Sequence, residues 1–133
     1  RMQYQHIKVP DNGENIHIDD QGQWHIPKQP IIAYIDGDGV GLDVMPVMRQ
    51  VVDAAIEHCY GKERKIHWMQ VYNGEQAAKL YDGDWFPQET INAVRECKIA
   101  IKGPLTTPLG GGFRSLNVAL RHEMDLFVNM RTI

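Results

Sequence analysis

The sequence predicts an α/β fold built on a mainly parallel sheet. Three observations carry this. The run Ile31-Ile-Ala-Tyr-Ile35 is apolar without interruption, as in a strand covered on both faces. Segments with apolar residues at helical spacing alternate with runs of this kind. Turn-forming glycines and prolines separate the two. The order reads β-α-β-α-β-loop-α-β, an alternation that argues parallel strands joined by helical crossovers.

The elements follow in order. Residues 1–30 are polar and rich in turns. Pro10-Asp-Asn-Gly13 is a turn, and Asp19-Asp-Gln-Gly22 separates Ile16-His-Ile18 from Trp24-His-Ile26 as in a short hairpin. Pro27 and Pro30 mark a linker. The strand Ile31–Ile35 ends at Asp36-Gly-Asp-Gly-Val-Gly41. A helix is expected from Leu42 to Tyr60, where Val44, Val47, Met48, Val51, Val52, Ala55 and Ile56 recur at helical spacing. Pro46 is tolerated near its start, and Gly61 stops it. Ile66–Tyr72 reads as a second strand and Asn73–Lys79 as a short helix. After the loop Tyr81–Trp85, Pro87 opens a helix through Glu96, with Ile91 and Val94 facing inward. Cys97–Ile101 reads as a third strand. A glycine- and proline-rich loop leads to a helix from Ser115 to His122, and a last strand begins near Asp125.

Bulk properties narrow the function classes. The 133 residues are 43% hydrophobic with a net charge of −3. That supports a packed core, and no basic run suits nucleic acid. No apolar stretch approaches the roughly 18 residues that span a bilayer. The N-terminus has no apolar signal core, which argues against export. Cys59 and Cys97 lack metal or redox spacing and read as buried or half-buried free thiols, fitting a reducing cytoplasm. The six histidines are scattered, and no zinc motif follows. Arg1 ahead of Met2 is read as a cloning remnant. With the strand-like Asp125–Ile133 at the other end, the expectation is a piece of a longer protein.

The densest chemistry lies between Lys102 and Arg121. A lysine, Thr106, Thr107 and the run Gly110-Gly-Gly112 precede Ser115-Leu-Asn-Val-Ala-Leu-Arg121. Taken alone, Ser115 is a plain N-cap, Asn117 an exposed first-turn residue and Arg121 a solvated helix residue. Together they point to an anion. Asn117 and Arg121 are four apart and share a helix face. Ser115 sits at that helix's N-terminus, where free amides favour negative charge. Lys102 ends a strand, and ligands of open α/β sheets lie beyond the carboxyl ends of strands. Arg131, at the end of the last expected strand, joins the same crevice by the same rule. Arg114 reads equally as a surface residue. Thr106 and Thr107 suit either turn chemistry before Pro108 or hydroxyl contact to a ligand. Gly37-Asp-Gly-Val-Gly41 follows a strand and opens a helix, but its spacing departs from the dinucleotide fingerprint at Leu42, so it reads as a turn. The pairs Asp36/Asp38 and Asp82/Asp84 read as solvated turn carboxylates.

Three segments resemble the isocitrate/isopropylmalate dehydrogenase family, in particular bacterial NADP-dependent isocitrate dehydrogenase. They are Tyr34-Ile-Asp-Gly-Asp-Gly-Val-Gly41, Ala100-Ile-Lys-Gly-Pro-Leu-Thr-Thr-Pro108 and Arg114-Ser-Leu-Asn-Val-Ala-Leu-Arg121. The likeness runs from about Val9 to Arg131, and the serine–asparagine–arginine run is its most specific part. The resemblance implies the family's α/β fold, incomplete in this chain. Residues 1–30 would be an N-terminal extension, 31–124 the N-terminal part of the large domain, and 125–133 the opening strand of the small domain. It implies oxidation of isocitrate by hydride transfer to NADP, then decarboxylation helped by Mg²⁺ or Mn²⁺, in a cytoplasmic homodimer of the tricarboxylic acid cycle.

By the same resemblance, Ser115, Asn117, Arg121 and Arg131 match isocitrate contacts, Lys102 a lysine near the substrate, and Thr106 a cofactor contact. Arg131-Thr132 departs from the usual Arg-Pro. The family's catalytic tyrosine and lysine and its metal-binding aspartates match no position here, so the chain alone is expected to be inactive. In some members the serine matching Ser115 is phosphorylated by a regulatory kinase. Two alternatives stay open: a self-contained anion- or nucleotide-binding module, and a related hydroxy-acid dehydrogenase acting on isopropylmalate.

Overall fold

The computed structural model describes residues 3–107 and 114–132. Pro108 and the Gly110-Gly-Gly112 run lie outside the described residues. The chain begins with an arm, residues 3–9, whose Ile7 is buried in the core. A two-stranded antiparallel hairpin follows, β1 (His17–Ile18) with β2 (Trp24–His25), as the turn at Asp19–Gly22 requires. Asp19 builds that turn by accepting the backbone N–H groups of Gln21 and Gln23, each at 2.9 Å.

The sheet has three strands in the order β4-β3-β5, all parallel. Its centre is β3 (Ile31–Ile35), with β4 (His67–Gln70) on one side and β5 (Ala100–Lys102) on the other. The uninterrupted apolar run of β3 has a physical cause, since both of its faces are covered. Ile31, Ala33 and Ile35 belong to the main core with Ala93 and Val94 of α3 (Gln88–Cys97). Tyr34 points the other way, under Arg49 of α1 (Gly41–Tyr60), whose guanidinium lies 4.0 Å from the ring centroid. Burying Ile91 and Val94 on α3 stabilises the fold by about 1.5–3 kcal/mol each.

Four boundaries differ from expectation. Cys97 closes α3 rather than opening a strand, because Lys98 takes the left-handed conformation (φ 66°) that ends a helix, and β5 starts only at Ala100. The second strand is shorter, His67–Gln70. The short helix α2 runs Glu75–Leu80. Residues 125–132 form no strand, and among the described residues no strand pairs with them; a lone strand leaves its backbone groups without a ladder.

The long helix α1 sorts the apolar residues that recur along it. Its apolar residues cover more of its circumference than the sheet can bury. Met45 is buried, and Met48, Val52 and Ile56 are half-buried. Val44, Val47 and Val51 are exposed, at 56%, 56% and 62%, and Ala55 is exposed too. Of the two thiols, Cys59 is exposed and Cys97 buried. Burial, with Glu96 beside it, pushes the Cys97 thiol up to about 11. The thiol is thus protonated and inert at neutral pH.

Candidate functional site

The last helix, α4 (Leu116–Glu123), is positioned by its own stripe. Leu116 is buried, and Leu120 and Met124 pack against the same core at successive i+4 steps. Arg95 of α3 donates to the Glu123 carbonyl and ties the far end down. This orientation leaves Asn117 and Arg121 on the flank, where they line a cavity of about 400 Å³ together with Lys102 at the end of β5. Ile35, Val94, Leu120 and Met124 complete an apolar part of the same lining. Three of the anion-binding candidates named from the sequence thus line one crevice.

The electrostatics of this crevice suit an anion. Lys102 is exposed as a whole residue, yet desolvation of its side chain, with the Arg121 guanidinium beside it, lowers its pKa below the ordinary value of 10.5. Lys102 and Arg121 lie close enough to repel, neither is ion-paired among the described residues, and a negatively charged ligand would relieve them. The Asn117 side-chain oxygen is buried and has no hydrogen-bond partner among the described residues. Buried carboxamides are ordinarily satisfied, so this one has capacity for a ligand hydroxyl or for a reorientation that turns its amide toward an anion.

The other candidates stand differently. Ser115 is the N-cap of α4, half-buried, and its hydroxyl makes no capping hydrogen bond. It lies outside the lining of the cavity, two residues before Asn117. Arg131 is exposed in the irregular 125–132 segment and does not join the other groups. Arg114 is exposed. Thr106 is exposed, with its backbone N–H held by Asp38. A second depression of about 400 Å³ lies at the C-terminal end of α1, around Asp53, Gly61 and Lys65, and contains none of these residues. Among the described residues no three His, Cys, Asp or Glu side chains gather as metal ligands.

The glycine-rich turn after β3 acquires a purpose from the structure. Gly37 has φ +80°, and a Cβ there would sit 2.1 Å from the Pro104 carbonyl oxygen. The turn is bare because the loop after β5 passes directly over it. Its carboxylates are not solvated, contrary to expectation. Asp36 is ion-paired with Arg49 at 3.0 Å and accepts from Gln70 at 3.1 Å. Asp38 is 5% exposed. Turn composition hid this, because nothing local announces a second loop crossing above. Asp82 and Asp84, by contrast, are exposed as expected.

Comparison with known proteins bears on all of this. The family model described as isocitrate/isopropylmalate dehydrogenase matches residues 31–133. The chain belongs to this family. It is 55% identical over 131 residues to an isocitrate dehydrogenase [NADP] of Coxiella burnetii, covering 98% of this chain and 30% of that protein. A Pseudomonas aeruginosa protein of the same name is 56% identical over 133 residues, covering 99% and 32%. The crystal structure of isocitrate dehydrogenase from Methylococcus capsulatus matches with a TM-score of 0.53 and 36% identity, over 73% of this chain and 26% of that one. The family's fold is thus shared by a parallel-sheet segment. The chain spans about a third of the length of these relatives.

Proposed function

We propose that this chain is the isocitrate-gripping segment of an NADP-dependent isocitrate dehydrogenase, which oxidises isocitrate and releases 2-oxoglutarate and carbon dioxide. The observation that carries the reading is the convergence of Lys102, Asn117 and Arg121 on one cavity, which Lys98 also lines, with a buried amide oxygen that has no partner among the described residues. Arg121 grips a substrate carboxylate with paired N–H donors, and Lys102 adds a point charge beside the reacting end. Ser115 and Arg131 reach the same substrate once the small domain, opening at 125–133, is in place. The large domain begins in 31–124, after an extension over 1–30.

Thr106 meets the nucleotide. NADP, when bound, accepts the hydride. Mg²⁺ or Mn²⁺ draws its ligands from sequence beyond this segment, and the active unit is a cytoplasmic homodimer. Phosphorylation of Ser115 would add a charge of about −1.5 to −2 beside the anion site and repel isocitrate. The isolated chain has no activity.

The test is steady-state kinetics of the complete gene product. It is expected to oxidise isocitrate with NADP in preference to isopropylmalate. Arg121→Met should lower kcat/KM for isocitrate by about 100-fold or more, the scale expected when a paired charge-assisted contact to the substrate is removed. A preference for isopropylmalate, or an Arg121→Met enzyme of normal kcat/KM, would overturn the reading.

A further inference from the structure

Asp38 stands where three segments meet. Its Oδ1 accepts the Glu75 backbone N–H at 3.0 Å, and its Oδ2 accepts that of Thr106 at 2.8 Å. Its own backbone N–H donates to the Pro104 carbonyl at 2.7 Å. Side chain and main chain of one residue therefore both hold the 104–106 segment. The space around the carboxylate is fitted to it. Gly74 has φ +77°, and a Cβ there would lie 2.5 Å from Asp38 Oδ2.

The choice of residue is informative. Burying a carboxylate is costly unless it is fully hydrogen-bonded. An asparagine would have the same shape and cost less to desolvate, but it has one accepting oxygen, and here two N–H donors face the group. Only a carboxylate accepts both. What this achieves is local: Thr106 keeps its side chain exposed while its amide is anchored.

We propose that Asp38 is a positioning residue, whose carboxylate fixes the backbone of Thr106 beyond β5 so that the Thr106 side chain is presented to the nicotinamide nucleotide. This rests on the reading of Thr106 as a cofactor contact. Asp38 itself, nearly buried, acts only through that loop.

The experiment uses the complete gene product with Asp38→Asn, Thr106→Ala and the double substitution. Asp38→Asn should raise the KM for NADP about fivefold to tenfold, with the KM for isocitrate held within about twofold. Thr106→Ala should raise it similarly, and the double variant should be no worse than Thr106→Ala alone, because both act through one contact. A normal KM for NADP in an active Asp38→Asn enzyme, or additive effects in the double variant, overturns the inference while leaving the functional reading intact. If the unsubstituted protein does not oxidise isocitrate with NADP, the functional reading falls and this inference with it. Should Asp38→Asn fail to fold, hydrogen exchange in the unsubstituted protein decides. A protected Thr106 amide supports the anchor, and exchange at the rate of an open loop refutes it.

Discussion

Lys102 carries the clearest residue-scale consequence. Its pKa is lowered by desolvation of its side chain and by Arg121, so its ammonium begins to lose its proton below the ordinary 10.5. A base whose folded pKa is depressed binds fewer protons folded than unfolded in that window, so ligand-free stability should rise there with pH. Isocitrate binding should move the other way, because the charge that attracts it disappears. Calorimetric titration of the complete gene product at increasing pH should show affinity falling earlier than an unperturbed lysine would give. Lys102→Gln should bind more weakly at neutral pH and lack that falling limb. Parallel pH profiles for the two proteins would remove Lys102 from the site. The residue types were legible from sequence because lysine, asparagine and arginine at those spacings have few joint uses. Asp38 was not, because its partners are the backbone amides of Glu75 and Thr106, which no side-chain pattern reveals.

At the scale of elements, the N-terminal arm is held to α3 by two carboxylates. Glu89 accepts the backbone N–H groups of Gln5 and His6 and the hydroxyl of Tyr81. Glu96 accepts from Tyr4 and, at 2.9 Å, from Asn15. Burial works to raise the Glu89 pKa, but the hydrogen bonds from Tyr81, Gln5 and His6 outweigh it and lower the pKa below 4.5. The attachment is therefore complete above pH 4.5 and is lost as pH falls through the lowered value. Hydrogen exchange should show residues 3–9 released in acid before the sheet opens, and Glu89→Gln should release them at neutral pH. An arm equally protected in that variant would show that Ile7 alone holds it. The sequence showed this arm only as polar and turn-rich, since its anchors are 80 or more positions away. The strands and helices were far easier to place: β3 and α3 were announced by local apolar pattern, whereas a strand at 125–132 needs a neighbour that pattern cannot supply.

At the scale of the whole molecule, the main sheet among the described residues is small and parallel, with β4 and β5 at its two edges and the long helix α1 over the face that carries Tyr34. Val44, Val47 and Val51 recur at i, i+3 and i+7 on the outer face of α1, and each is more than half exposed. Sequence periodicity marked these valines as part of a helix without saying which of its apolar residues face the sheet. In the structure Met45 is buried and Met48 and Val52 are half-buried, while these three valines stay exposed. A contiguous apolar stripe beside two sheet edges that pair with no further strand among the described residues favours association. The 133-residue chain by itself is therefore expected to self-associate at micromolar concentration, with sedimentation velocity showing species above 15.2 kDa. Val47→Lys with Val51→Lys should shift the distribution toward monomer while leaving helical circular dichroism unchanged, because neither side chain packs on the sheet. If the doubly substituted chain associates as strongly as the original, the stripe is not responsible, and pairing at the β4 and β5 edges becomes the explanation to test.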